Sequence, residues 1–372
     1  MLRQRKRFRV GDDGIELIDP DASDLPFLTA LDPRFEVRRE GLGGFVRPRL
    51  RTWGTRTVGL TRQQLGAHPA DGLWVAHGDA VAAMRQSVGS REVAAPGEPS
   101  LLDLKIELAR RELQSCALCG HRCGVNRLRD TRGVCGLGRD AMVAEAFVHI
   151  AEEPPINPAL NLNLVGCGLR CRFCQQFPLL SPGLRGTRPL DGALWADLPL
   201  AEARSLAFVG GNPDESVYGI LRFLREAPAD LALPVVWNCH GYATSVVYRL
   251  LDGIVDCYLP DLKYWADECA WRWSAVAGYR QHAVEGIRAM ANQGVAVLVR
   301  MLVLPGHLEC CHRPALEWLA SEVRSQVCVN VMGQYHPDYL VQAGDGALGC
   351  RPSIREISRL RDWARALGLR MT

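Results

Sequence analysis

The sequence predicts an α/β protein built as a partial (β/α)6 barrel with an N-terminal cysteine-rich extension. From about residue 160, short β-rich runs alternate with amphipathic helical runs, the rhythm of right-handed βαβ units on a parallel sheet. Six such runs can be counted, too few to close an eight-stranded barrel and enough for an open one. The extension follows from cysteine: of 14 in the chain, seven fall in two tight sets between residues 116 and 174. With 48% hydrophobic and 23% charged residues among 372, the composition is that of an ordinary globular chain, long enough for one large domain and a smaller attachment.

Residues 1–100 form an N-terminal extension of unknown role, broken by glycine and proline and without a legible motif. Its opening basic run, Arg3 to Arg9, reads as a solvated terminus rather than a nucleic-acid arm, and a net charge of +3 gives no argument for nucleic acid. That run meets Gly11-Asp12-Asp13 instead of an apolar stretch, so no secretory signal is visible. The most apolar long segment, Val295–Leu304, is interrupted by Arg300, so no membrane span is expected. The expected location is a reducing cytoplasm, where clustered cysteines bind metal or do redox chemistry more often than they form disulfides. Of 44 lysines and arginines only three are lysine: Lys6, Lys105 and Lys263.

The stretch Pro96–Ser100 reads as a linker, with Ser100 set to cap a helix over Leu101–Gln114; residues 101–150 form the cysteine-rich segment. The barrel occupies residues 151–345. Strands are expected near Asn161–Val165, Ser205–Val209, Pro234–Asn238, Ile254–Leu259, Val295–Leu304 and Gln326–Met332. Helices such as Glu215–Glu226, Thr244–Leu251, Tyr279–Asn292 and Pro314–Val323 lie between them. Residues 346–372 end the chain with a helix over Ser353–Leu367, packed outside the barrel.

Cys167-Gly-Leu-Arg-Cys171-Arg-Phe-Cys174 has the spacing C-x3-C-x2-C and follows the first barrel strand, where such barrels place catalysis. Three thiolates on one tight loop can ligate three irons of a [4Fe–4S] cubane and leave the fourth iron open. The amino and carboxylate groups of S-adenosylmethionine (SAM) can chelate that iron, so that one electron from the cluster enters the sulfonium and breaks a C–S bond. Zinc would call for paired cysteine knuckles, and no second knuckle follows Cys174. Phe173, between the last two ligands, stands where an aromatic can cover cluster and adenine, or serve as plain core.

The runs Glu152-Glu153-Pro154-Pro155-Ile156 and Gly166–Gln175 resemble the radical SAM family of pyruvate formate-lyase-activating-enzyme-like proteins. The resemblance continues through Gly210-Gly211-Asn212-Pro213, Asn238-Cys239-His240-Gly241-Tyr242, Tyr258–Tyr264, Arg300–Gly306 and Met332–Tyr335, and covers roughly residues 116–340 in order. It implies a barrel of the radical SAM type that generates a 5′-deoxyadenosyl radical, with reduced flavodoxin or ferredoxin as electron donor. It also implies that Gly210, Gly211 and the polar residue after them meet the SAM amino group, the small residues letting backbone approach the ligand closely. Here that polar residue is Asn212, an uncharged amide where many members carry Glu.

Asp261-x-Lys263 matches a motif that lies near SAM and any bound cation in relatives, and its side chains face one side of the sheet. Asn238, Asp256 and Arg300 fall at or near strand ends. A buried Arg300 needs an anionic partner, which a SAM or substrate carboxylate or a structural ion pair would supply. Cys239, His240 and Tyr242 are the catalytic candidates: Cys239 by its place in the strand-end motif, His240 and Tyr242 for relaying a proton or hydrogen atom near the radical, with a structural role as the alternative.

Cys116-x2-Cys119-x3-Cys123-x11-Cys135 offers four thiols and no obvious vacancy, which suits an auxiliary [4Fe–4S] cluster or a structural zinc. The resembled branch carries a similar set, and the cluster is favoured over zinc; His121 within the loop is a minor ligand candidate. Cys239, Cys257, Cys269, Cys310, Cys311, Cys328 and Cys350 show no ligand spacing and are expected mostly in the core. The expected reaction is hydrogen-atom abstraction from a small molecule, with sulfur insertion from the auxiliary cluster as one form of it. An activase that installs a glycyl radical on a partner enzyme is the alternative.

Overall fold

A computed structural model describes residues 8–11, 14–17, 45–46, 49–86, 97–153, 156–181 and 183–372. Residues 3–7 of the basic run, and Pro96, Pro154 and Pro155, lie outside the described residues. Three short strands, β1 (Phe8–Gly11), β2 (Gly14–Leu17) and β3 (Phe45–Val46), pair antiparallel. Helices α1 (Arg62–Ala67), α2 (Ala70–Gln86) and α3 (Leu101–Glu112) follow. Among the described residues of the first hundred are thus the helices α1 and α2, and α2 buries Leu73, His77, Val81 and Met84 at helical spacing. Ser100 caps α3: its hydroxyl accepts from the Asp103 N–H, and the Asp103 carboxylate accepts from the Ser100 N–H at 2.8 Å.

The main sheet comprises β4 (Met142–His149), β5 (Ala159–Leu164), β6 (Arg188–Pro189), β7 (Ser205–Gly210), β8 (Val235–Cys239), β9 (Cys257–Pro260), β10 (Ala296–Leu302), β11 (Cys328–Met332) and β12 (Arg370–Met371). Its order is β12-β11-β10-β9-β8-β7-β5-β4-β6, with β5 and all strands from β7 to β12 parallel and β4 running antiparallel to both its neighbours, β5 and β6. The end strands β12 and β6 do not pair, so the sheet is open. Helices α4 (Val217–Arg225), α5 (Ser245–Leu251), α6 (Asp267–Ser274), α7 (Tyr279–Ala291), α8 (Arg313–Glu322) and α9 (Ile354–Ala366) fill the connections and the C-terminal region. This is the α/β architecture with a parallel sheet that the alternation requires. Among the described residues no helix is long and apolar enough to cross a membrane.

Two boundaries differ from expectation. Strand β4 pairs along the length of β5, so residues 142–149 belong to the main sheet rather than to the cysteine segment. Strand β12 pairs with β11, so the C-terminal residues add a strand as well as a helix.

All six residues of β5 are buried, as in a strand covered on both faces. Leu160, Leu162 and Leu164 take one face and leave Asn161 and Asn163 on the other. Between sheet and helices, Trp195 stacks on Phe223 of α4 at 4.0 Å, and Phe208 of β7 packs edge-on against Phe223. Burying each such phenylalanine stabilises the fold by roughly 1.5–3 kcal/mol.

Candidate active site

A cavity of about 680 Å³ opens at the C-terminal ends of the parallel strands. Cys167, Cys171 and Cys174, on the loop leaving β5, all line it. The loop is gripped by its surroundings. The Gly168 N–H donates to Glu215 Oε1 at 2.8 Å, and the Arg170 and Arg172 N–H groups donate to the Ser274 and Trp273 carbonyls of α6 at 2.9 and 2.8 Å. The Ser274 hydroxyl donates to the Cys171 sulfur at 3.0 Å.

Burial pushes the Cys174 thiol up to about 11 and Cys167 well above the ordinary thiol range. It raises Cys171 as well, with the Lys263 charge pulling the other way. Thiols so placed keep their protons unless a positively charged group takes the protons' place. Three of them on one cavity wall, beside a lysine, fit an iron–sulfur cluster.

Phe173 is buried on the same wall, edge-on to Tyr335 at 5.6 Å. Gly210 and Gly211 reach the cavity, but their small size serves another approach. A Cβ on Gly210 would sit 2.5 Å from the Leu164 nitrogen, and one on Gly211 2.3 Å from the Gly166 carbonyl oxygen. Bare backbone there lets β7 close against the cysteine loop, and the positive φ of Gly210 adds a second reason for glycine. The Asn212 amide is spent internally: Nδ2 donates to Glu215 Oε2 at 2.5 Å, and Oδ1 accepts from the His240 N–H at 3.1 Å.

Lys263 Nζ pairs with Asp261 Oδ2 at 2.5 Å on the cavity wall, as alternate residues on one side of a strand end can. Asn238 and Cys239 also line the cavity, Cys239 fully buried. Arg300 lines it too, yet its guanidinium already holds two carboxylates, Glu152 and Glu153, and Asn330 Nδ2 donates to Glu153 Oε1 at 2.8 Å. The structural ion pair is what forms. Asp256 lies just before β9, at the opposite strand end, where it accepts from the Arg49 and Val235 N–H groups at 2.8 Å each. Tyr242 does not line the cavity; its hydroxyl donates to the Ala277 carbonyl at 2.8 Å, which removes it as a relay.

His240 does reach the cavity. Its Nδ1 accepts from the Tyr242 N–H at 3.1 Å, so the proton sits on Nε2, 3.2 Å from Glu215 Oε1. Burial alone would raise the Glu215 carboxyl, but the adjoining His240 and the bonds from His240 and Asn212 leave it below its usual range. Beside it, burial pushes Asp214 up to about 6 while its Oδ1 accepts from Trp237 Nε1 at 2.7 Å. Sequence reading missed this pair because two acids opening a helix look like an ordinary solvated first turn. The signal lay in their position directly after the glycine-pair motif. Asn161 was missed as well; it lines the cavity, and its buried Oδ1 has no hydrogen-bond partner among the described residues.

The second cysteine set sits behind this loop and off the cavity, none of its four members lining it. Gly168 lies between the two: a Cβ there would be 3.6 Å from the Cys119 sulfur. Arg127, buried, ties the segment together by donating to the Glu215 and Gly138 carbonyls at 2.7 and 2.8 Å. His121 Nε2 donates to the Gly168 carbonyl at 2.7 Å, which takes it away from any ligand role at that atom. Of the cysteines expected mostly in the core, Cys311 is buried there, Cys269 is half-buried and Cys310 exposed, and these three bring their sulfurs within 4.8 Å of one another. Among the described residues this is where three donors come so close; the two predicted sets are spread more widely.

The fold and the cavity define an α/β protein whose parallel sheet ends in a three-thiol loop. No family model matches the chain. The uncharacterized protein MJ0674 of Methanocaldococcus jannaschii is 33% identical over 250 residues, a match spanning 65% of this chain and 72% of that one. The chain belongs to the family of that archaeal protein. Among solved structures it is similar to Streptococcus suis SuiB bound to S-adenosylmethionine, at a TM-score of 0.38 and 13% identity over 54% of this chain and 44% of that one. It is also similar to SuiB bound to precursor peptide SuiA, at 0.41 and 11% over 98% and 70%. HydG, a maturase of the [FeFe]-hydrogenase, matches at 0.36 and 11% over 83% and 69%. Likenesses this slight carry no argument.

Proposed function

We propose that this protein is a radical SAM enzyme that cleaves S-adenosylmethionine reductively and abstracts a hydrogen atom from a small-molecule substrate. One observation carries the reading: three thiols of one C-x3-C-x2-C loop line a single cavity at the C-terminal ends of a parallel sheet. The resemblance of residues 116–340 to pyruvate formate-lyase-activating-enzyme-like proteins supports the same reading. A [4Fe–4S] cluster held by Cys167, Cys171 and Cys174 would supply the electron and an open iron for the methionyl end of SAM.

The chain's own groups do the rest. Lys263, paired with Asp261, sets a fixed positive charge near Cys171. Glu215, fastened to Gly168, Asn212 and His240, holds the cysteine loop against β7 and β8. The Asn161 Oδ1, without a partner among the described residues, offers an acceptor to an ammonium or hydroxyl in the cavity. A cavity of about 680 Å³ is of the size that takes small ligands, which favours a metabolite over a protein loop. The Cys116 set, off the cavity behind Gly168, is better placed to brace or conduct than to give sulfide to a substrate radical.

Reduced flavodoxin or ferredoxin is the proposed donor. Anaerobically reconstituted, dithionite-reduced protein should convert SAM to 5′-deoxyadenosine, and replacing Cys167, Cys171 and Cys174 by Ala should abolish it. Unchanged cleavage in that triple variant overturns the reading. A glycyl radical appearing on an added protein would move the substrate from metabolite to partner enzyme.

A further inference from the structure

Three thiols outside the proposed active site are arranged as ligands. Cys269 stands on α6, and Cys310 and Cys311 lie on the π-helical turn Leu308–His312 that follows β10. The Cys269–Cys310 sulfur separation is 3.9 Å and the Cys310–Cys311 separation 3.8 Å, with all three sulfurs within 4.8 Å. Thiolates around a tetrahedral zinc, at Zn–S distances of about 2.3 Å, lie about 3.8 Å apart. Ligands of a cubane sit on different irons and must spread further, and a disulfide needs sulfurs at about 2.0 Å. The spacing suits one ion.

The surroundings suit it too. The Cys311 sulfur is buried. Cys269 is half-buried and Cys310 exposed, which gives the ion a way in from solvent. Among the described residues no histidine or carboxylate donor joins the group, so the protein supplies three ligands and leaves a fourth position facing water.

We infer that Cys269, Cys310 and Cys311 bind a single soft divalent cation of the zinc class, with the fourth position open to an exogenous ligand. Binding releases the three thiol protons to solvent. The ion ties the N-terminal half of α6 to the turn after β10. The far end of the same helix supplies the Trp273 and Ser274 carbonyls and the Ser274 hydroxyl that hold the cluster loop. Tyr264, hydrogen-bonded to Ser274 at 2.7 Å, lies within electrostatic reach of both Cys171 and Cys311. The site therefore braces the loop from behind. The inference stands on these three thiols and not on the proposed reaction.

The test is zinc analysis and zinc-edge X-ray absorption on the full chain, purified anaerobically and equilibrated with Zn²⁺. About one zinc per chain is expected, with three sulfurs at about 2.3 Å and one lighter neighbour. Cys310→Ser, at an exposed position, and the double variant Cys269→Ser/Cys310→Ser should each lose at least four-fifths of that zinc while iron content and far-UV circular dichroism stay unchanged. Zinc retained in both variants overturns the inference. So does a four-sulfur shell, which would put the metal in the Cys116 set, or a disulfide among the three cysteines in zinc-free anaerobic protein. Because iron is counted separately, loss of the proposed SAM chemistry leaves each of these outcomes readable.

Discussion

Lysine is the rare base in this chain, three of 44 cationic residues, and of the two that fall among the described residues Lys105 is buried and Lys263 half-buried. Lys105 touches His77 Nε2 at 2.6 Å and the Arg249 carbonyl at 3.2 Å; Lys263 touches Asp261. A guanidinium brings five donors in a rigid fork, and slots with one or two acceptors leave the remainder unsatisfied. Burial pushes Lys105 down to about 7, so the slot tolerates its neutral form better than its charge. Lys105→Arg should cost about 2–3 kcal/mol of stability and Lys105→Met less, read from urea midpoints at pH 8. The reverse ranking would mean that the charge is wanted. Asp214 gives the complementary case. Its folded value of about 6 exceeds the ordinary 3.8, so between these pH values the folded chain keeps a proton that the unfolded chain has lost. The contribution of Asp214 to stability should therefore fall as pH rises from about 4 to 6 and stay lower above, by on the order of 2–3 kcal/mol. Asp214→Asn keeps an acceptor for Trp237 and should remove that loss, making the variant more stable than the parent at pH 7.5 but not at pH 4. Equal stability of the two proteins at pH 7.5 would show that burial does not hold a proton on Asp214.

At the scale of elements, α6 couples sequence-distant parts of the site. It is eight residues long, yet its last two carbonyls and the Ser274 hydroxyl all bond to the cysteine loop. Hydrogen bonds to ligand sulfurs raise the potential of an iron–sulfur cluster. Ser274→Ala should therefore shift the proposed cluster to a more negative potential, by about 40 mV if the bond is worth about 1 kcal/mol, in a redox titration followed by electron paramagnetic resonance. An unchanged potential would reduce Ser274 to packing. This helix was illegible in the sequence: it is short, opens on Asp267 and Glu268, and turns Trp271 outward, so no apolar stripe announces it. The six barrel strands were legible because burial on both faces leaves near-continuous apolar runs such as Ser205–Gly210. Strand β4 was not, since it exposes Phe147 and carries Glu145 and His149 near the sheet's end. The cysteine loop could be read from local spacing alone. The Cys269 group could not, because 41 residues separate Cys269 from Cys310 and only folding brings them together. Glu215 escaped notice for a similar reason: its partners Gly168 and His240 are 47 and 25 residues away.

Across the whole molecule, the cysteine-rich segment is fastened to the barrel at many points. The Gly120 N–H donates to the Tyr242 carbonyl, the Thr244 N–H to the Leu118 carbonyl, and the Thr244 hydroxyl to the Ala117 carbonyl, at 2.8–2.9 Å. Arg127 and His121 add bonds to Glu215, which holds the proposed catalytic loop, and to Gly168 within that loop. A metal centre at Cys116, Cys119, Cys123 and Cys135 would therefore stiffen that loop through shared backbone, whether or not electrons pass through it. The two roles separate experimentally. Cys119→Ser should drop iron from about eight to about four per chain and lower the thermal midpoint. If the set is a brace, 5′-deoxyadenosine formation should fall by the same factor with dithionite as with reduced flavodoxin, because both reductants meet the same loosened loop. A conduit predicts something else: dithionite, small enough to reduce the remaining cluster directly, would sustain cleavage while the flavodoxin-driven rate alone collapsed. The bonds that converge on Gly168 and Glu215 favour the first outcome, and a selective loss with flavodoxin would refute it.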